Sequence, residues 1–83
     1  MAKDSNIVHQ YYRKESGKIL NLLRVNPIQY TGAEIIIFSD GKTDFREFEF
    51  EEEFVEELKA QGYSPAGPLE FNLYLSGLTD LHQ

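Results

Sequence analysis

The chain contains no cysteine, which removes a disulfide scaffold, a thiolate zinc site and a cysteine nucleophile together. It is short of histidine as well, with His9 and His82 the only two. A general base needs a substrate proton or a nucleophile within reach and an orienting group behind it. No Ser-His-Asp or His-x-x-x-His arrangement supplies those parts. His9, beside tyrosines, reads as a half-buried polar residue. Long apolar runs are missing too: none approaches the roughly 20 residues that cross a bilayer, and residues 1–6 hold no apolar core of signal-peptide length. The protein is therefore expected to be soluble and cytoplasmic, with no membrane partner. Basic residues are scarce, eight Lys and Arg against fourteen Asp and Glu, for a net charge of −6. That balance opposes non-specific nucleic-acid binding, whose affinity comes largely from counterions released by Lys and Arg.

The acid excess is unevenly placed. Residues 1–31 carry five basic and two acidic side chains, a net +3, and residues 32–83 carry three basic and twelve acidic, a net −9. At 83 residues the chain makes one domain, because a chain of this size buries only roughly 60–65% of its unfolded surface and cannot divide that between two cores. Its apolar fraction of 41% is enough for a core, to which five Tyr and six Phe contribute. Residues 1–6 and 77–83 are expected to fray.

The strongest local pattern is residues 32–50, two alternating apolar runs joined by Ser39-Asp40-Gly41-Lys42, which predicts a β-hairpin. A three-residue loop of Ser39, Asp40 and Gly41, with Gly41 left-handed, pairs Phe38 with Lys42, Ile35 with Phe45 and Glu34 with Arg46. A two-residue loop would set Glu34 against Glu47, so the three-residue loop is preferred. Phe45 has the opposite parity to Phe48 and Phe50, which implies either a bulge near Arg46 and Glu47 or burial on both faces. Residues 7–25 are read as a second hairpin around Gly17, with a helix over 17–25 or over the whole segment as the alternative. Asn26-Pro27 ends that segment. Residues 51–61 predict a helix with acids in its first turn, an apolar stripe of Phe54, Val55 and Leu58, and Gly62 as its stop. Residues 69–75 alternate with period two and predict a C-terminal strand. The fold class that follows is α+β: a mostly antiparallel sheet of about five strands, from two hairpins and a C-terminal strand, with one acidic helix packed on one face.

Two apparent motifs dissolve in context. Gly41-Lys42-Thr43 matches the tail of a phosphate-binding loop, but Ile36 stands where that pattern needs glycine and a strand follows instead of a helix. Glu51, Glu52, Glu53, Glu56 and Glu57 fan outward along a helix, whereas a hard cation needs oxygens converging on one point. They are read as a solvated face, and no metal or cofactor is expected.

One stretch remains as a candidate binding site: Tyr11, Tyr12, Arg13 and Lys14, with Lys18 and Arg24 nearby. Aromatics interleaved with cations bind single-stranded nucleic acid, the bases stacking on rings while the cations track phosphates. The same residues can also pack one ring in the core and keep a strand soluble. The function expected is a small non-catalytic protein-interaction module or auxiliary subunit, with a basic aromatic N-terminal face and an acidic C-terminal one. The alternative is a single-stranded nucleic-acid-binding module using the Tyr/Arg/Lys patch, and a third is a subunit lending a strand or patch to a partner's active site. The partner is an unidentified protein or a second copy in a weak homodimer, joined by the opposed charges or by an open edge at residues 7–14. The charge-led, salt-sensitive route is favoured, because Arg13, Lys14 and Lys18 guard that edge.

Overall fold

Turn chemistry organises residues 9–50. In the computed structural model, which describes residues 9–81 and their side chains as far as residue 77, Gly17 has φ 62° and opens a two-residue turn. This turn joins β1 (Gln10–Ser16) to β2 (Ile19–Asn26), with Ser16 opposite Ile19 and Gln10 opposite Val25. Glycine at the first loop position is what a type II′ hairpin turn requires, so the segment is a hairpin and not a helix. The next reversal is built by Asn26. Its Oδ1 accepts from the backbone N–H of Ile28 at 3.0 Å and of Gln29 at 3.1 Å, and its C=O accepts from Tyr30 N–H at 2.9 Å. Tyr30 takes φ 57° to close the turn into β3 (Thr31–Ile37).

The Ser39-Asp40-Gly41 loop then leads to β4 (Thr43–Glu49). Gly41 has φ 91° and donates to Phe38 C=O at 2.9 Å, while Phe38 N–H donates to Lys42 C=O at 2.8 Å. The register is the expected one, with Ile35 opposite Phe45 and Glu34 opposite Arg46. Pairing runs unbroken from Thr31 and Glu49 to Ile37 and Thr43, so there is no bulge, and Phe45 and Phe48 lie on opposite faces.

The second half departs further from the sequence reading. Helix α1 spans Phe54–Ala60 and begins after Glu51, Glu52 and Glu53, which stay exposed in the preceding turn. It ends where expected: Gly62 has φ 97° and donates to Lys59 C=O, and Tyr63 N–H reaches back to Leu58 C=O at 3.0 Å. This is a Schellman closure, and it brings Tyr63 down against Leu58. A short strand, β5 (Ser64–Ala66), follows and pairs antiparallel with β1.

Residues 69–75 are helical, not a strand. They belong to α2 (Pro68–Leu81), which opens on proline at its first position, where no N–H is needed, and continues through Gly77. The period-two alternation is real but short. Phe71, Tyr74 and Leu75 also fall at steps of three and four, and burial of Phe71 against the sheet selects that period. The sheet still has five antiparallel strands, in the order β4-β3-β2-β1-β5, but the fifth is Ser64–Ala66 and there are two helices.

Each face of the sheet carries one helix. On one side Leu22, Ala33 and Ile35 meet Phe71 of α2, and on the other Leu23 and Val25 meet Leu58 of α1. Phe71 and Leu58 are the buried helix residues of the two cores, with Leu75 beside the first and Phe54 and Val55 beside the second. Strand β1, expected to offer an open edge at residues 7–14, is covered by β5 at Tyr11, Tyr12 and Arg13, which lie between β2 and β5. Of the ends expected to fray, residues 1–6 and 82–83 lie outside the described residues, and residues 77–81 form the last turn of α2. No helix among the described residues is long and apolar enough to cross a membrane.

Candidate functional site

Strand alternation divides the residues that the sequence singled out. Tyr11, Arg13 and Arg24 lie on the α2 side, since Tyr11 is opposite Arg24 and Arg13 opposite Leu22. Tyr12 and Lys14 lie on the α1 side, and Lys18 stands exposed in the first turn. They form no single basic face, and most are engaged within the fold. Tyr11 meets Phe71 edge-on at 5.8 Å, and the Arg24 guanidinium lies 5.1 Å from the centre of the same ring. Arg13 Nε donates to Glu70 Oε1 at 3.2 Å, and its Nη2 is 3.6 Å from Glu15. Tyr12 packs beside Leu23 and Val25 and donates its hydroxyl to Gln10. Lys14 Nζ sits 5.5 Å from the centre of the Tyr63 ring.

A polar cluster on the α1 side was only half visible in the sequence. Glu34 is 5% exposed, and its carboxylate accepts from Arg46 Nε at 2.7 Å, Asn21 Nδ2 at 3.1 Å and Tyr63 hydroxyl at 3.3 Å. Burial, then the Glu34 charge and its hydrogen bond, push the Tyr63 phenol up to about 12. Leu23, Phe54, Leu58 and Gln61 help to line the cleft of 290 Å³ around this cluster. A carboxylate with both oxygens engaged by three donors is poorly placed to take a substrate proton. It acts as a clamp that ties the chain leaving α1 to the centre of the sheet. The hairpin register pointed to Glu34 and Arg46, and strand parity adds Asn21. Tyr63 carried no such signal, because only the packing of α1 brings it there.

On the α2 side, a cleft of 390 Å³ opens where the helix leaves the sheet uncovered, lined by His9, Arg24, Thr31, Ala33, Glu47 and Glu49. Desolvation and then the Arg24 charge lower the His9 pKa, so its imidazole is neutral at pH 7. The cleft mixes both signs of charge, and among the described residues no three or more His, Asp or Glu side chains converge to hold a metal ion.

The remaining feature is an edge. Among the described residues nothing pairs with the outer side of β4, a seven-residue strand. Backbone bonds at Phe38 to Lys42 and at Phe50 to Tyr30 bracket the β3–β4 ladder, and antiparallel pairs alternate. Asp44, Arg46 and Phe48 therefore turn their N–H and C=O groups toward β3. Thr43, Phe45, Glu47 and Glu49 turn theirs outward. Phe45 is 42% exposed on the α2 side. The opposite edge is unlike this one: β5 has three residues and contains Pro65, which lacks a donor. Compared with protein-family models, curated proteins and solved structures, the chain matches none.

Proposed function

We propose that this protein is a small, non-catalytic, cytoplasmic interaction module that binds another polypeptide along β4, on its own or as an auxiliary subunit of a larger protein. The open edge of β4 carries the proposal. An exposed strand presents a row of backbone donors and acceptors that a second strand can complete, and folded proteins ordinarily blunt such edges with proline, bulges or brevity. Edge β5 has two of these devices, whereas β4 has neither proline, bulge nor brevity and is guarded only by its charged side chains, Asp44, Arg46, Glu47 and Glu49. Half-exposed Phe45 offers apolar area beside the backbone groups. The lack of cysteine in the whole chain supports the cytoplasmic setting. Nucleic-acid binding has less support, because Tyr11, Arg13 and Arg24 are separated by the sheet from Tyr12 and Lys14.

The test uses Glu47→Pro, which deletes an outward N–H without breaking a bond to β3 and removes no buried side chain. The intact chain immobilised in lysate of its native source should retain a defined polypeptide, identified by mass spectrometry, that Glu47→Pro loses. Amide signals of Thr43, Phe45 and Glu47 should shift when that polypeptide is added in purified form. Equal retention by both chains, with those amides unmoved, would remove β4 as the binding surface.

A further inference from the structure

We infer that the strand fitting this edge is β4 of a second copy, paired antiparallel about a two-fold axis through Phe45 so that two five-stranded sheets become one. The inference rests on β4 being the docking edge and adds the identity of the occupant. In a two-fold antiparallel pair each residue meets its partner on the same face, so the pairing is defined by the residue lying on the axis. Centred on Phe45, the pairing sets Phe45 against Phe45, Asp44 of each copy against Arg46 of the other, and Thr43 against Glu47. Phe45 is then a hydrogen-bonded pair, as its outward N–H and C=O require. Asp44 and Arg46 fall at non-hydrogen-bonded positions, where side chains approach most closely.

An axis at Thr43 opposes no like charges, pairing Lys42 with Asp44, but it sets Phe45 against Gly41 and gives up the apolar pair, and the other neighbouring registers oppose like charges. An axis at Asp44 puts Asp44 against Asp44 and Lys42 against Arg46. An axis at Arg46 puts Arg46 against itself, and an axis at Glu47 puts Glu47 against itself. Only the Phe45 register joins apolar to apolar and acid to base, twice over by symmetry. Both charged groups are available for it: Asp44 is exposed, and the Arg46 side chain is 66% exposed although its Nε is held by Glu34.

Because the chain has no cysteine, single introduced cysteines report the register directly. Hydrogen-bonded antiparallel partners have Cα atoms about 5.5 Å apart, within the range a disulfide spans. Only the residue on the axis faces its own copy. Sedimentation of the intact chain from micromolar to millimolar concentration should show a monomer–dimer equilibrium. Under mild oxidation, Phe45→Cys should form a covalent dimer faster than Thr43→Cys or Glu47→Cys. Asp44→Arg, which opposes two cations in each half of the pair, should weaken the dimer about tenfold or more while its amide spectrum stays that of the folded chain. A strict monomer throughout overturns self-pairing, and faster cross-linking of Thr43→Cys or Glu47→Cys than of Phe45→Cys overturns the Phe45 register. Neither result touches binding of a different polypeptide, which the Glu47→Pro comparison reads separately.

Discussion

Glu34 and Arg46 face each other across β3 and β4, and Arg46 Nε donates to Glu34 Oε1 at 2.7 Å. The two ends of this pair live in different environments, since the Glu34 side chain is 6% exposed and that of Arg46 is 66% exposed. The buried partner therefore depends on the exposed one. Arg46→Ala leaves a carboxylate in the sheet with only Asn21 and Tyr63 to bond it, and should cost about 1–3 kcal/mol in urea denaturation. A loss below about 0.5 kcal/mol, the range of ordinary surface substitutions, would mean that the two neutral donors suffice.

Tyr63 links stability to alkaline pH. Its folded-state pKa is raised to about 12 by burial and by Glu34, so the folded state holds the phenol proton more tightly than the unfolded chain does. Its contribution is fully present below the unfolded value of about 10 and declines as pH rises through about 12. Denaturation midpoints measured over that window should fall for the native chain and fall less for Tyr63→Phe. Parallel profiles would show that Tyr63 is not the group responsible.

Gly32 and Gly41 should both resist alanine, for different reasons. A Cβ on Gly32 would stand 2.7 Å from the tip of the Phe48 ring, so Gly32→Ala must displace that ring and should cost about 1–3 kcal/mol. Around Gly41 a Cβ meets nothing within 4 Å, but φ is +91°, and backbone strain alone should cost about 1 kcal/mol. Phe48 ring resonances should move in the first variant and stay in place in the second.

Phe71 and Leu73 separate a helix from a strand by mutation. In a strand the two would share a face and cost alike. In α2, Phe71 is buried and Leu73 is 64% exposed. Phe71→Ala should lose about 3–5 kcal/mol, a large part of the roughly 4–12 kcal/mol expected at this size, and Leu73→Ala should stay within about 0.5 kcal/mol. Comparable losses at both positions would contradict the helix.

Local chemistry in the sequence was sufficient for the hairpin of residues 32–50, the β3–β4 register and the end of α1, and it favoured the hairpin of residues 7–25 while leaving a helix open there. Gly17, Gly41 and Gly62 each supply a positive φ within a few residues of the bond it permits, and opposing Glu34 with Arg46 needs no distant partner. What lay beyond the sequence depended on residues far apart. Residues 69–75 satisfied a strand period and a helix period at once, and the choice fell to the apolar surface of Leu22, Ala33 and Ile35, against which the helix buries Phe71. The face that each of Tyr11, Tyr12, Arg13 and Lys14 would occupy was implicit in strand alternation. Which helix covers that face was not, because docking of α1 and α2 follows from the assembled sheet. The open edge is likewise a property of strand order: β5 closes over β1 and leaves β4 bare, and no pattern within either strand encodes which neighbour it will have.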